Sequence, residues 1–444
     1  MRKQPIIMLK LEQQLLHKLT PWLHSRSFCV AFSGGMDSTV LLHSLVRLAQ
    51  QHALPALRAI YIHHGLQEAA QPWPAHCQCV CDQLGVPLTV LEVDVPPTAS
   101  VEQAARHARY AAFEKQLASD EILLMAQHQD DQAETLLFRL LRGTGVKGLQ
   151  GIPLTRQLQH SRVLRPLLDV SHQHILDYAQ QQQLIWVEDP SNATDEFDRN
   201  YLRRQVIPLL KRRWPRMLHS MQRTAQHMQE AQQLLNELAA TDLRHNQVQP
   251  SQSWLTLPCL DLAGLRELSG ARQKNLLRHW LAPYTLLPDS GHWAGWEALR
   301  DAQQDAQPVW RLHSGALLRS QNRLYWLAEH WLQSPEPLDL IIKQAGRYPL
   351  PNNGYLEIAG DLTTPLRVRY RQGAEKLYIE GRGHRDLKRL LQENAVPAFV
   401  RSRLPIVYLK GQPVAVANLP ALTHRQLQHL RVTWWITDEK PPVQ

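Results

Sequence analysis

Between residues 25 and 130, short apolar runs of strand length alternate with longer amphipathic ones. Phe28–Phe32, Ala56–His63, Leu88–Val95 and Ile122–Ala126 are predicted strands, and Asp37–Gln51, Trp73–Leu84 and Val101–Leu117 keep the apolar spacing of helices. That alternation predicts an α/β fold built on a doubly wound, mainly parallel sheet with helices on both faces. Ligands of such sheets bind at the carboxyl ends of the strands. Three polar stretches fall there and are expected to converge on one crevice: Ser33 to Ser38, His63-His64, and Gln127 to Asp131. The N-terminal MRKQPIIMLKLEQQLLHKL is amphipathic and predicted helical, too broken in its apolar stretch for a signal peptide.

After Trp214-Pro215 the texture changes. Met221, Ala225, Met228, Gln232, Leu235 and Leu238 hold a helical period, and a polar stretch runs from Arg244 to Ser253. Helices are predicted around Leu260–Leu281 and Trp293–Ala302, then a hairpin of Trp310–His313 with Leu324–Leu327. Gln333-Ser334-Pro335-Glu336-Pro337 reads as a linker. Beyond it, predicted strands Leu366–Tyr370, Leu404–Tyr408, Pro413–Ala417 and Val432–Ile436 surround one basic helix near Arg385–Asn394, the pattern of a small α+β domain. A chain of 444 residues exceeds one ordinary core. It is divided here into a catalytic domain (1–217), a mainly helical linker unit (218–332) and an α+β C-terminal domain (340–444).

Composition adds compartment and partner. With 44% hydrophobic and 20% charged residues the chain is of the soluble globular type, with no apolar run near the ~18 residues of a membrane span. A cytoplasmic location without a membrane partner is expected. Five cysteines, three of them bunched as Cys77, Cys79 and Cys81, fit a reducing compartment. Cys77 and Cys81 lie i,i+4 on a predicted helix, and no second thiol or histidine pair answers them at zinc spacing, so they read as buried apolar side chains. The net charge of +9 is unevenly spread: residues 199–216 hold seven Lys/Arg and no acid, and residues 367–410 hold eleven against four. With Trp214, Tyr370, Tyr378 and Phe399 interspersed, these tracts point to a nucleic-acid partner; the middle and C-terminal segments are expected to contact it. Arg382, Arg385, Lys388, Arg389, Arg401 and Arg403 are the cations expected to grip its backbone. Assembly as a homodimer is left open.

The first chemical motif is Ser33-Gly34-Gly35-Met36-Asp37-Ser38, set between a predicted strand and a predicted helix. A strand turning through two glycines into a helix start offers unpaired N–H groups at the positive end of a helix dipole, which suits phosphate. Ser33 and Ser38 add hydroxyls, and Asp37 a carboxylate that magnesium could bridge to phosphate oxygens. The Walker lysine and the dinucleotide fingerprint are both absent. SGGxDS resembles the pyrophosphate loop of the N-type ATP-pyrophosphatase superfamily, which activates a substrate oxygen by adenylation; the resemblance implies ATP and magnesium as cofactors and an adenine nucleotide alpha-hydrolase-like fold.

The second motif is Gln127-His128-Gln129-Asp130-Asp131-Gln132-Ala133-Glu134-Thr135, where a strand passes into a helix. Asp131 and Glu134 are i,i+3 and share one helical face. Two acids there could cap the helix, but His128 at the strand end argues for more: the group could hold magnesium or the ammonium of an amine nucleophile.

An H-x-DDQAET motif after an SGGxDS loop resembles the tRNA(Ile)-lysidine synthetase family. Further matches are His63-His64-Gly65-Leu66, Glu102 with Ala105-Arg106, Arg109-Tyr110 and Phe113, Arg142-Gly143-Thr144-Gly145, and Arg165-Pro166-Leu167-Leu168. Glu188-Asp189-Pro190-Ser191-Asn192 and Asp198-Arg199-Asn200-Tyr201-Leu202-Arg203 follow, then Gly381-Arg382-Gly383-His384-Arg385 with Leu387-Lys388 near the C-terminus. Gln67 departs from the arginine that many relatives place there. The resemblance implies adenylation of O2 of the wobble cytidine in the CAU anticodon of tRNA(Ile), then displacement of AMP at C2 by the amine of free L-lysine. It implies phosphates on Ser33 to Ser38, magnesium on Asp37 and Asp131, and Asp37, His128, Asp131, Glu134, Arg199 and Arg203 as the catalytic set. Asp131 and Glu134 could instead receive the lysine ammonium, and Arg199 and Arg203 could steady the α-phosphate or pair with Asp195, Glu196 and Asp198. Two alternatives are a tRNA thiolase of the same superfamily, against which no C-x-x-C pair is present, and a non-catalytic tRNA-binding protein, against which Ser33, Asp37, His128, Asp131 and Glu134 are all intact.

Overall fold

The computed structural model describes residues 9–65, 71–94, 101–190, 198–289, 291–303 and 306–436. Gln67, Val95, Ser191, Asn192, Asp195, Glu196 and the first eight residues of the predicted N-terminal helix lie outside these. The chain separates into two compact units, Met1–Gln233 and Leu234–Gln444, with the division inside one long helix, Met217–Asn246.

The first unit is built on six strands: β1 (Ser27–Ala31), β2 (Ala56–His63), β3 (Leu88–Glu92), β4 (Glu121–Leu124), β5 (Thr155–Gln157) and β6 (Arg162–Leu164). Their order is β3-β2-β1-β4-β6-β5, parallel throughout except for the antiparallel edge strand β5. Val30 of β1 stands opposite Ala59 of β2 and Leu124 of β4. The centre of β1, Phe28–Val30, is apolar because it is buried on both faces. Phe28 and Val30 pack on one side with Val40, Leu41 and Leu45 of helix Met36–Ala49, while Cys29 packs on the other with Tyr110 and Phe113 of helix Val101–Gln116. Chain order reverses between β1 and β4, so the loops leaving those two strands open onto the crevice at the switch point. Glu12 of helix Lys10–Leu19 is fully buried, a costly place for a carboxylate without partners. It accepts from Arg47 Nε at 2.5 Å and Tyr178 O–H at 2.9 Å, which fastens the N-terminal helix to the unit.

In the second unit the predicted two-stranded hairpin is a four-stranded antiparallel sheet. β7 (Cys259–Asp261), β8 (Val309–Leu312), β9 (Gly315–Ser320) and β10 (Arg323–Ala328) stand in the order β7-β10-β9-β8. A Cβ at Gly315 would collide with the Leu327 carbonyl, so only glycine lets β9 start this close to β10. The single helix predicted over Leu260–Leu281 is also corrected. Asp261 caps a short helix Leu262–Glu267 by accepting from Gly264 N–H at 2.9 Å, and Ser269 starts a new one, Gly270–Leu281.

The C-terminal part adds a four-stranded antiparallel sheet (Asp339–Ile342, Leu366–Tyr370, Pro405–Leu409, Gln412–Val416). A three-stranded sheet (Gly346–Pro349, Tyr355–Ala359, Arg431–Trp435) and a small ribbon (Lys376–Ile379, Gly383–Asp386) complete it. The basic helix is Leu387–Glu393, capped by Asp386. Arg403 does not belong with the surface cations. It is 3% exposed, lies 5.0 Å over the Trp331 ring, and donates to the carbonyls of His330 (2.6 Å) and Gln333 (2.5 Å) and to Asn353 Oδ1 (3.2 Å). Arg401 donates to the Val396 carbonyl, and Arg382 and Arg389 share Glu393. Arg385 and Lys388 remain exposed without an ion-pair partner among the described residues.

Candidate active site

The chain leaves β1 through Phe32 and turns at Ser33–Gly35 into helix Met36–Ala49. Gly34 has φ +77°, and a Cβ there would stand 2.8 Å from Cys77 Sγ and 3.2 Å from Val187 Cγ2, so the loop is closed from beneath by side chains from distant segments. Ser38 Oγ accepts from Ser33 N–H (3.2 Å), donates to the Gly35 carbonyl (3.0 Å) and lies 3.1 Å from Ser33 Oγ. Thr39 O–H donates to the same Gly35 carbonyl (3.0 Å), and Val187 N–H to the Gly34 carbonyl (3.0 Å). The turn is thereby preformed, and the first amides of the helix have no partner within the helix, as at any helix start.

From β4, His128 caps helix Gln129–Leu141, and its N–H donates to Asp131 Oδ2 at 3.0 Å. The adjacent aspartates divide their labour. Asp130 is buried, accepts from His172 N–H at 2.9 Å and pairs with Lys211. Burial alone would raise its pKa, but those two donors hold it below the ordinary carboxylate range. Asp131 faces the crevice.

His128 is buried between acids. Its Nε2 is 3.6 Å from Asp37 Oδ2 and 3.5 Å from Asp131 Oδ2, and its Nδ1 is 3.9 Å from Asp130 Oδ2. Burial pushes the imidazole towards neutrality, but Asp37 first, then the charges of Asp131 and Asp130, prevail and raise its pKa to about 9. The pocket therefore holds a cation at neutral pH. Because the folded pKa lies above the ordinary imidazole value of ~6.5, the stabilisation is complete below that pH and lost as pH rises through about 9. In metal-free protein, the stability difference between wild type and His128→Gln should shrink steadily from pH 7 to 10 in denaturant titrations. A constant difference would show that His128 is already neutral at pH 7.

Arg203 closes the other side. Its Nε donates to Glu134 Oε1 at 2.6 Å, and its Nη2 to Glu134 Oε2 at 2.9 Å and Asp131 Oδ1 at 3.2 Å. The pairing is thus with Glu134 and Asp131, whereas Asp195 and Glu196 lie outside the described residues. Arg203 sits on a π-helical turn, Leu202–Val206, a widening often found at functional sites. Glu134 is buried, and burial raises its pKa against the pull of Arg203. Arg199 lies 5.8 Å over the ring of Phe138, one turn beyond Glu134 on the same helix.

Magnesium fits this donor set. Asp37 Oδ1 is buried without a hydrogen-bond partner, and the second oxygens of Asp37 and Asp131 flank a single point now balanced by the imidazolium. Among the described residues no group of three or more His, Cys, Asp or Glu could hold a metal ion. Two contributions were missed by sequence reasoning. The Lys211–Asp130 pair left only the lysine in the cationic run as a signal, and the Cys77–Val187 floor under Gly34 left none. Cys77 and Cys81 are buried, and burial raises their pKa values to about 12 and 11. His64 lies near Arg109, and burial first, then that charge, lowers its pKa to about 4.

Comparison with known proteins covers nearly the whole chain. Family models match residues 7–210 (PP-loop domain), 260–325 (TilS substrate binding domain) and 366–434 (TilS substrate C-terminal domain). A tRNA(Ile)-lysidine synthase of Pseudomonas fluorescens is 52% identical over 430 residues, covering 97% of each chain. One of Pseudomonas syringae pv. tomato is 53% identical, covering 96% of each. Another, from Coxiella burnetii, is 37% identical over 91% of this chain and 92% of its own. Among solved structures, the U34-tRNA thiolase of Methanococcus maripaludis aligns with a TM-score of 0.43 at 16% identity, over 50% of this chain and 79% of that one.

Proposed function

The chain belongs to the tRNA(Ile)-lysidine synthase family, and on that premise we propose that it ligates free L-lysine to C2 of the wobble cytidine in the CAU anticodon of tRNA(Ile), converting ATP to AMP and pyrophosphate. The observation that carries this reading is the meeting of Asp37, His128 and Asp131 at the crevice, with Glu134 and Arg203 beside them. Ser33 to Ser38 cradle the phosphates. Cytidine O2 attacks the α-phosphorus, an O–P bond forms, and the bond to the β-phosphate breaks. The lysine amine then attacks C2, the C2–N bond forms, and the C2–O bond breaks with AMP leaving. Bound magnesium, held by Asp37 and Asp131, would supply charge neutralisation on the phosphate oxygens. His128 fixes both carboxylates in place. Asp131 and Glu134 are the acids available to an incoming ammonium, and Arg203 opposes the upward pull of burial on Glu134. A cytidine attacked at C2 must leave its stack, so the base enters the crevice extruded.

Thiolase chemistry is disfavoured by the sequence, which carries no C-x-x-C pair, and Cys29, Cys77 and Cys81 are buried. The test is ATP–pyrophosphate exchange, which should require tRNA(Ile) with its CAU anticodon and proceed without lysine. Exchange independent of tRNA would contradict the order of steps. The substrates belong to the cytoplasm, where we place the enzyme; among the described residues no helix is long and apolar enough to cross a membrane.

The segments matching the substrate models are the proposed tRNA contacts outside the crevice. Arg385 and Lys388, beside the start of the basic helix, are exposed and have no carboxylate partner among the described residues, so Arg385→Ala with Lys388→Ala should weaken tRNA binding and spare ATP binding. Two lost phosphate contacts should flatten the slope of log K against log salt by about 1.4 to 1.8. An unchanged slope would make this helix a solvated surface.

A further inference from the structure

The three-stranded sheet of the C-terminal part has two unlike faces. Leu356, Ile358 and Trp434 point inward and are at most 1% exposed. By strand alternation, Arg347, Tyr355, Glu357, Arg431, Thr433 and Trp435 take the other face. Tyr355 is the register partner of Trp435, Arg347 of Glu357, and Arg431 of Ala359. The Tyr355 and Trp435 rings are nearly parallel (20°) with centroids 6.1 Å apart, and Trp435 remains 42% exposed. Arg347 lies 5.3 Å over the Tyr355 ring and donates to Glu357 at 3.2 Å. Glu357 also accepts from Trp435 Nε1 at 2.8 Å. One carboxylate therefore pins both the guanidinium and the indole, and the two rings are held in a fixed orientation on a solvent-facing sheet.

We propose that this face is a nucleobase-stacking platform that takes the unpaired 3′-terminal nucleotides of the tRNA. This rests on the tRNA reading above. Two aromatic rings are far too small an area for a stable protein interface, which needs about 1,000 Å². A base needs only a rigid π-face, and its phosphates need cations. Arg431, which has no carboxylate partner among the described residues, supplies one, and Arg347 a second that shares Glu357. Within a tRNA, most bases are paired or locked in tertiary contacts; the anticodon loop is claimed by the crevice, which leaves the 3′ end as the unpaired stretch free to stack.

The test uses the full chain and 5′-labelled tRNA(Ile), either intact or lacking its unpaired 3′ nucleotides. Alanine substitution of a stacking aromatic typically weakens binding by about 5- to 100-fold. Trp435→Ala should therefore weaken binding of intact tRNA by that factor, and Trp435→Phe should restore most of it. The truncated tRNA should bind wild type and Trp435→Ala alike. Equal weakening on both RNAs, or none on either, overturns the platform. Failure of wild type to bind either RNA overturns instead the tRNA reading on which it rests. Should Trp435→Ala not fold, Tyr355→Leu keeps the bulk, removes the ring and carries the same comparison.

Discussion

Asp37→Ala is expected to reduce lysidine formation by about a thousandfold while leaving the fold unchanged. The carboxylate contributes little to stability: Oδ1 has no partner and Oδ2 only approaches His128 at 3.6 Å. In the proposed reaction its value lies in holding magnesium, with Asp131, against the phosphates. Losing such a ligand removes several kcal/mol of transition-state stabilisation, and about 4 kcal/mol is a thousandfold. The substitution also takes from His128 one of the carboxylates beside Nε2, so the imidazole pKa should fall from about 9. The first step should show the loss directly, as a slowed rate of tRNA-dependent pyrophosphate release from a protein that still folds cooperatively, its thermal midpoint lowered only by the lost His128 interaction. Near-normal turnover would remove Asp37, and with it the loop, from the chemistry.

Glu134→Gln is expected to separate the two steps. It keeps the shape of the side chain and removes the charge that an ammonium would meet. A hydrogen bond to a charged group is worth about 1.5–3 kcal/mol, so the KM for lysine should rise about 10- to 100-fold. Adenylation should stay within a few-fold of wild type, because Arg203 retains Asp131 as a partner. Equal loss in both steps would place Glu134 with the metal or with the structure. The assay pairs pyrophosphate release without lysine against AMP release over a lysine titration.

The site was legible in the sequence where chemistry and local structure coincide. Gly34-Gly35 after an apolar strand specify a turn into a helix, and Asp131 and Glu134 share a face by helical spacing alone; both expectations are met in the geometry. The capping and functional readings of Asp131 turned out to be compatible, since Oδ2 caps His128 N–H and Oδ1 meets Arg203. What the sequence hid was long-range. Nothing local says that Lys211 would neutralise Asp130, or that Cys77 and Val187 would close the loop beneath Gly34. The strand Gly315–Ser320 was missed because its pairing partners, not its own alternation, define it. The strands carrying Tyr355 and Arg347 were missed for the same reason, being only five and four residues long. Arg403 looked like a surface cation because burial of an arginine depends on carbonyls from residues 330 to 353 being brought to it.

The central claim is tested most directly by mass spectrometry of tRNA(Ile) incubated with the enzyme, ATP, magnesium and L-lysine, followed by nuclease mapping of the anticodon. The account predicts a gain at the wobble cytidine equal to lysine less one water, dependent on both ATP and lysine. An unmodified cytidine, a gain at another nucleotide, or a mass shift matching sulfur for oxygen would contradict it.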